Sequence, residues 1–158
     1  MSEADIYSTR VTRRESLLRM RGFDCAVHEW GNAASPLIVY LHGWADCAAT
    51  LQFVIDSFAG EWHVVAPDLR GFGQSDAPAS VGGYALGHVV ADLRVLISRL
   101  AGDTPVRAIG HDWGAVAGWC LALEHPQLVR SQVALSVGHP RQYAVAGLEQ
   151  KLKGLYTL

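Results

Sequence analysis

One short segment places a carboxylate between two glycines, at the point where a strand would turn sharply into a helix. The segment is AIGHDWGAVAGW (108–119), in which Gly110 and Gly114 lie two residues before and after Asp112. Apolar residues precede this point and small residues follow it, which predicts a strand, a very tight turn and a helix. The pattern has the shape of the G-x-S-x-G nucleophile elbow, with aspartate in place of serine. It therefore indicates chemistry by a carboxylate held at the apex of a turn.

Asp112 has two interpretations from the residues alone. An aspartate after a strand is most often a helix N-cap, whose side chain accepts backbone N–H groups of the first turn. The two flanking glycines favour a reactive side chain, because side chains at those positions would clash in so tight a turn. Ala115, Ala117 and Gly118 also let the following helix approach the sheet closely.

A second loop, LHGWAD (41–46), contains the groups that could complete a site beside Asp112. Gly43 permits an unusual backbone angle, so that the N–H of Trp44 can point toward the carboxylate. Together with the N–H of Trp113 it would form an oxyanion hole. We interpret His42 as a structural hydrogen-bonding residue that braces this loop rather than as a base.

The surrounding pattern predicts the elements that position these loops. Strands are expected at residues 17–20, 23–30, 36–41, 63–66, 106–109 and 129–137, and helices at 50–58, 84–100 and 113–124. Short apolar strands that alternate with helices indicate a parallel sheet covered on both faces. His42-Gly43 and Asp112 each follow a strand at its carboxyl end, where such sheets bind their ligands.

Composition limits the classes of function. The chain has 158 residues, 50% apolar and 18% charged, which indicates one compact domain. A net charge of −2 gives no reason to expect nucleic acid or an anionic membrane as a partner, and no apolar run approaches the ~20 residues of a spanning helix. Cys25, Cys47 and Cys120 suit neither a disulfide framework nor a zinc site, so we expect no metal or cofactor. Cys25 and Cys120 are predicted to be buried free thiols in a reducing cytoplasm.

From about residue 15 the chain resembles the α/β-hydrolase superfamily, through three motifs in the usual order and separation. These motifs are LIVYLHGW, VVAPDLRGFGQSD and GHDWGAVAGW. The resemblance makes His42, Gly43, Gly110, His111 and Gly114 motif residues with structural roles. It gives structural roles also to a second set, which comprises Asp68, Arg70, Gly71 and Gly73. It implies the α/β-hydrolase fold, a mostly parallel doubly wound sheet, truncated before the last strands and most of the cap. Residues 1–138 would then be the N-terminal part of the core, and 139–158 the start of a helical cap.

The pair Asp112-Trp113 narrows the resemblance to epoxide hydrolases and haloalkane dehalogenases, whose nucleophile is an aspartate. It implies that Asp112, already ionised at neutral pH, attacks a saturated carbon of a small apolar epoxide or haloalkane and forms an alkyl ester. Trp44 after His-Gly and the segment SVGHPRQY are similar to epoxide hydrolases, whereas Trp113 suits either substrate. Ala45 departs from the proline usual at its position. A non-catalytic binding or interaction module is the remaining alternative.

Two parts of the reaction are expected from residues near the end of the chain or beyond it. Epoxide hydrolases donate a proton to the ring oxygen from cap tyrosines, and Tyr156 lies where the first of these falls, with Tyr143 as a nearer alternative. Hydrolysis of the ester needs a histidine and an orienting acid, and neither His125 nor His139 has a plausible partner. We therefore expect this chain to lack turnover alone. We also expect it to form a homodimer or to associate with a C-terminal half, because the strand at 133–137 would be an apolar edge.

Overall fold

The computed structural model describes residues 12–55 and 60–145, which form a six-stranded sheet with helices on both faces. The strands are β1 (Arg14–Met20), β2 (Phe23–Trp30), β3 (Leu37–Leu41), β4 (His63–Pro67), β5 (Val106–His111) and β6 (Val129–Leu135). The α-helices are α1 (Gln52–Ile55), α2 (Leu86–Ala101), α3 (Trp113–Glu124) and α4 (Pro140–Ala144). Short 3-10 turns occupy Ala48–Leu51, Val81–Tyr84 and Pro126–Leu128.

The strands lie in the order β1-β2-β4-β3-β5-β6. The pairs β1–β2 and β2–β4 are antiparallel, whereas β4, β3, β5 and β6 run parallel to one another. This confirms the predicted fold class, a mostly parallel sheet of the α/β-hydrolase type. The register pairs Leu41 with Gly110, so the loops that follow β3 and β5 start side by side at one edge of the sheet.

Apolar residues of the central strands supply the core on both faces of the sheet. Because successive side chains of a strand point to opposite faces, Ile38 and Tyr40 belong to one buried cluster and Val39 and Leu41 to another. The 3-10 turn Ala48–Leu51 and α1 cover the first cluster, and α2 and α3 cover the second. Each fully buried large side chain contributes about 1.5–3 kcal/mol. The sheet is therefore the fixed frame from which the loops project.

Several element boundaries differ from the sequence predictions. The helix expected at 50–58 is a 3-10 turn followed by α1, and residues 56–59 lie outside the described part of the chain. The turn is tight because the Thr50 hydroxyl donates to Asp46 Oδ1 (2.5 Å) and lies 2.9 Å from the Cys47 carbonyl oxygen. β1 begins three residues earlier than predicted, because its exposed first residues pair through the backbone and need no apolar alternation. The helix expected from residue 84 begins at Leu86, since Tyr84 ends a 3-10 turn.

β6 is the outer strand of the described sheet and ends sooner than predicted. The sequence pattern extended it to residue 137, but Ser136 adopts φ +66° and β6 ends at Leu135. Val133 and Leu135 lie on the same face of β6 and are 50% and 43% exposed, so this outer strand carries exposed apolar side chains. The boundary at residues 138 and 139 stays a prediction.

The three cysteines are all free, but they differ in burial. Cys25 is buried, and burial raises the pKa of its thiol to about 11. The prediction that Cys120 is buried was wrong, because this residue packs at the margin of the second cluster and is only half-buried. Within residues 12–55 and 60–145, no helix has the length and apolar character that crossing a membrane requires. The same residues contain no group of three or more His, Cys, Asp or Glu side chains that could hold a metal ion.

Candidate active site

Asp112 occupies a strained turn between β5 and α3. Its backbone has φ +48° and ψ −122°, a conformation that a residue other than glycine rarely adopts. The Asp112 N–H donates to the Leu135 carbonyl at 3.2 Å, and its own carbonyl accepts the N–H groups of Ala115 and Val116. Such a conformation costs about 1–3 kcal/mol and persists only where its surroundings enforce it, most often at functional sites.

The flanking glycines are sterically required. A Cβ atom on Gly110 would lie 2.6 Å from the Gly114 carbonyl oxygen, and one on Gly114 would lie 2.5 Å from the His42 carbonyl oxygen and closer still to that of Leu41. These are backbone atoms and cannot rotate away. The turn is thus as tight as the two-residue spacing of the glycines predicts.

The side chain of Asp112 does not cap α3. The residue stands at the N-cap position, but its carboxylate makes no capping hydrogen bond. Instead Oδ2 accepts the backbone N–H of Trp44 at 3.0 Å, across 68 residues of sequence. Among the described residues no group donates to Oδ1. One carboxylate oxygen is therefore held by an amide while the other is available.

Gly43 allows this approach because it has no side chain; the predicted unusual backbone angle was wrong, since Gly43 is not among the glycines with positive φ. A Cβ atom at Gly43 would lie 2.8 Å from the Asp112 Cβ and 3.1 Å from its Oδ2. The loop takes an unusual path directly afterwards, because Ala45 has φ +61°. Proline, which is fixed near φ −65°, could not adopt that conformation. The backbone conformation at residue 45 therefore accounts for alanine in place of the usual proline.

Of the two expected oxyanion-hole amides, the Trp44 amide contacts Asp112 in the described part of the chain and the Trp113 amide does not. The amide of Trp44 contacts the carboxylate as predicted, and Trp113 follows Asp112 as the first residue of α3. Within the part of the chain that the structure describes, no hydrogen bond joins the Trp113 amide to Asp112. Its convergence on the same oxyanion stays a prediction.

His42 is buried and both its ring nitrogens are committed to the backbone. Nε2 accepts the Leu69 N–H at 2.9 Å, so the proton is on Nδ1, which donates to the Gly43 carbonyl at 2.8 Å. Burial favours the neutral ring and lowers the pKa of His42. The residue therefore braces the loop that carries the Trp44 amide, and it is not positioned as a base.

The carboxylate of Asp68 holds the neighbouring loop in place through contacts with three segments of the chain. Oδ1 accepts the Ala48 N–H at 2.8 Å, and Oδ2 accepts the Gln74 N–H at 2.9 Å and lies 3.3 Å from Nε2 of His28. Burial alone would raise the pKa of Asp68, but these hydrogen bonds outweigh it and lower the pKa below its ordinary value. The backbone of Gly73 approaches this carboxylate so closely that a Cβ there would overlap it. Asp68 and Gly73 thus have the structural roles that the resemblance implies.

Arg70 fastens the same loop to α2. Its Nε and Nη2 atoms lie 2.7 Å and 2.6 Å from Oδ2 of Asp92, and its Nη1 donates to the Gly83 carbonyl at 2.6 Å. The guanidinium also lies 4.9 Å from the centre of the Phe23 ring. Sequence analysis assigned Arg70 a structural role but missed Asp92. The available signal was a carboxylate on the otherwise apolar face of α2.

An apolar cavity of about 750 Å³ adjoins the Asp112 turn. Gly43, Trp44 and Trp113 belong to its wall, and so do Phe72 and other residues of the loop before α2. Trp44 and Trp113 are 70% and 44% exposed. Two large, partly exposed indole side chains therefore belong to the cavity wall.

Among the described residues, no predicted histidine or tyrosine forms a hydrogen bond or ion pair with the Asp112 carboxylate. Tyr156 lies outside the described residues, as does the side chain of Tyr143. His111 is exposed at the end of β5, and the His139 ring contacts the Trp119 ring with 4.8 Å between ring centres. Neither His125 nor His139 forms an ion pair with a carboxylate within residues 12–55 and 60–145.

Comparison with known proteins shows the family to which this fold belongs. The family model of the alpha/beta hydrolase fold matches residues 36–155. Epoxide hydrolase 4 of Mus musculus is 34% identical over 110 residues, which are 70% of this chain and 30% of that protein. Epoxide hydrolase A of Mycobacterium tuberculosis is 35% identical over 124 residues, 78% of this chain and 38% of that protein. The chain thus spans between about three tenths and two fifths of the length of these curated relatives.

Solved structures show the same similarity. The crystal structure of epoxide hydrolase A from Mycobacterium thermoresistibile superposes with a TM-score of 0.75 at 34% identity, covering 80% of this chain and 40% of that one. An epoxide hydrolase from Vigna radiata gives a TM-score of 0.74 at 32% identity, covering 91% of this chain and 46% of that one.

Proposed function

Because this chain belongs to the alpha/beta hydrolase fold family, we propose that it carries the nucleophilic half of an epoxide hydrolase site, with Asp112 as the nucleophile. One observation carries the proposal: the Trp44 amide holds Oδ2 of Asp112 at 3.0 Å, while no described group donates to Oδ1. The similarity to epoxide hydrolases supports the choice of substrate.

The first step needs only the carboxylate and a positioned epoxide. Oδ1 of Asp112 attacks the less hindered ring carbon, and the bond between that carbon and the ring oxygen breaks. The oxygen leaves as an alkoxide and takes a proton from solvent, or from Tyr156 where that residue reaches it. The product is a 2-hydroxyalkyl ester of Asp112.

The second step places negative charge on Oδ2. Water attacks the carbonyl carbon of the ester, and the oxygen that becomes the oxyanion already accepts the Trp44 N–H. The Trp113 amide is the proposed second donor. Activation of the water requires a histidine oriented by an acid, and none is positioned beside Asp112 among the described residues. We therefore expect the 158-residue chain to stop at the ester.

A haloalkane would be attacked by the same carboxylate, with halide as the leaving group. The named relatives are epoxide hydrolases, which favours the epoxide. Release of bromide from 1-bromobutane, with no adduct from an epoxide, would instead identify a dehalogenase.

Intact-mass spectrometry after incubation with 1,2-epoxypropane tests the proposal. We expect the mass to increase by one molecule of epoxide and the modified peptide to carry the ester on Asp112. The Asp112→Asn variant should not react, because an amide is a far weaker nucleophile, while Asp103→Asn should react like the parent chain. Adducts that persist in Asp112→Asn, or steady diol formation by the chain alone, would contradict it.

A further inference from the structure

We infer that Ser136 is a positioning residue for Asp112, which acts through the backbone of the turn that carries the carboxylate rather than on the substrate. The inference rests on the proposed function, in which an epoxide alkylates Asp112. It adds the loop that follows β6 to the two loops that already meet at the carboxylate.

The end of β6 holds the backbone of the proposed nucleophile. The register pairs His111 with Leu135, so Asp112 and Ser136 each come directly after the last paired residue of two neighbouring strands. The Asp112 N–H donates to the Leu135 carbonyl at 3.2 Å, which extends the parallel ladder one residue into the turn. β6 therefore holds the backbone of Asp112, whereas the Trp44 amide holds its side chain.

Ser136 and Asp112 share a backbone conformation that is rare for residues with a side chain. Ser136 has φ +66° and Asp112 has φ +48°, while Ala45, in the loop that carries the Trp44 amide, has φ +61°. In the part of the chain that the structure describes, the other non-glycine residue with positive φ is Arg21. Such residues cluster where a fold imposes a functional geometry. Three of the four lie in the loops at this edge of the sheet.

The peptide unit between Leu135 and Ser136 connects the two features. Because this unit is planar, the direction of the Leu135 carbonyl depends on ψ of Leu135 and on φ of Ser136. A change of φ at residue 136 therefore turns the carbonyl away from the Asp112 N–H or displaces the end of β6. The Cβ atom of an L-residue disfavours positive φ, and a β-branched side chain disfavours it most. The residue type at 136 thus controls how firmly Asp112 is held.

The hydroxyl of Ser136 is not needed for this role. Ser136 is exposed, and its hydroxyl takes part in no hydrogen bond among residues 12–55 and 60–145. What the position requires is a residue that tolerates positive φ. This requirement separates the inference from a role in which the hydroxyl itself contacts substrate or water.

The test compares the rates at which 1,2-epoxypropane alkylates Asp112 in variants of residue 136, measured by intact mass on chains that circular dichroism shows to be folded. Ser136→Thr keeps the hydroxyl but opposes positive φ through its β-branched side chain, and we expect it to slow alkylation about tenfold. Ser136→Gly lacks the hydroxyl but adopts positive φ freely, and it should react like the parent chain. A role of the hydroxyl predicts the reverse order.

Ser131→Thr is the matched control, because Ser131 is exposed on β6 and pairs with Arg107 within the ladder. The same substitution there should leave the rate unchanged. Hydrogen exchange separates positioning from a general loss of stability. In Ser136→Thr the Asp112 amide should exchange faster than in the parent chain, while the Ile109 amide, inside β5, should not.

An unchanged rate in folded Ser136→Thr, or a slow reaction of Ser136→Gly, would overturn the inference, while alkylation of the parent chain upheld the proposed function. If Ser136→Thr does not fold, hydrogen exchange of the parent chain still tests the inference. The Asp112 amide should exchange at least about tenfold more slowly than in an unstructured peptide, and an unprotected amide would overturn the inference. If the amide were protected but Asp112 were never alkylated, the proposed function would fall, and this inference with it.

Discussion

Asp68 and Asp112 are both aspartates that follow parallel strands at one edge of the sheet, yet their surroundings are opposite. Asp68 is 1% exposed, and both of its oxygens have hydrogen-bond partners, from Ala48, Gln74 and His28. Asp112 is half-buried, and a single amide contacts one of its oxygens. The backbone differs as well, because Asp112 has a positive φ and Asp68 does not.

The contrast shows how one residue type can hold a loop together at one position and, under the proposed function, act as the nucleophile at another. Donors that occupy both oxygens stabilise the ionised form of Asp68 and tie three segments together, which leaves no oxygen for an electrophile. At Asp112 the single amide orients the group but leaves Oδ1 open. Stability at the first site and the proposed reactivity at the second thus follow from the number of donors.

Replacing each carboxylate by an amide gives the largest expected difference. Asp68→Asn replaces the oxygen that faces the Gln74 amide and His28 by an NH2 group, so that an acceptor becomes a donor. It should lower the free energy of unfolding by about 3 kcal/mol. Asp112→Asn should change it by less than about 1 kcal/mol, because the group is half-exposed and has one partner. Urea denaturation of both variants measures this. Equal losses at the two positions would abolish the distinction.

The glycine that faces each carboxylate gives the next largest effect. Gly73→Ala places a Cβ against Asp68 and should destabilise the protein by about 2 kcal/mol, partly because Gly73 has φ +53°. Gly43→Ala displaces Asp112, so its main effect should be slower alkylation of Asp112 rather than a lower free energy of unfolding. Gly87→Ala on α2, where a Cβ meets nothing within 4 Å, is the control for both. If Gly43→Ala reacted at the rate of the parent chain, the close approach would have no chemical role.

Acidification should reveal how much the ionised side chain of Asp68 contributes to the free energy of unfolding. Its pKa in the folded chain lies below the unfolded value of about 3.9, so its contribution is complete above that pH and is lost as the pH falls through the folded pKa. The free energy of unfolding should therefore decrease more steeply with acidification in the parent chain than in Asp68→Asn. Parallel curves from pH 5 downward would show that the hydrogen bonds do not hold Asp68 ionised.

Ala45 gives the smallest expected effect. Its φ of +61° costs an alanine about 1 kcal/mol that glycine does not incur. Ala45→Gly should therefore stabilise the chain by a few tenths of a kcal/mol to about 1 kcal/mol, with alkylation unchanged. Thermal denaturation and intact mass report the two quantities. A loss of stability would mean that the loop in solution does not hold this conformation.

The predicted parts of the fold depended on patterns within short segments. Apolar runs separated by helical periodicity gave the central strands, α2 and α3, and the glycine spacing around Asp112 gave the turn. The start of β1 was missed because its exposed residues pair through the backbone, which leaves no apolar alternation. The helix after β3 was overestimated because side-chain hydrogen bonds of Thr50 tighten its first turn.

The parts of the site that sequence could not give are contacts across long separations. Arg70 and Asp92 are 22 residues apart, and no local rule states which carboxylate on α2 an arginine in the loop will meet. The tautomer of His42 depends on Leu69, 27 residues away, and the cavity exists only once this loop has packed against α2. The sequence therefore predicts which loops meet, but not what they enclose.

A ribosome synthesises the residues of the candidate site in chain order, and the strand order of the sheet is compatible with assembly in that order. β5 joins beside β3, and β6 joins beside β5, so these two strands extend one growing edge without entering between strands already paired. The Asp112 carboxylate emerges 68 residues after its amide partner Trp44, which at about 5–20 residues per second is an interval of about 3–14 seconds. Leu69 emerges much sooner and supplies the N–H that His42 accepts. The amide loop can thus be braced before its carboxylate has been synthesised, and Asp112 then arrives at a partner that is already positioned.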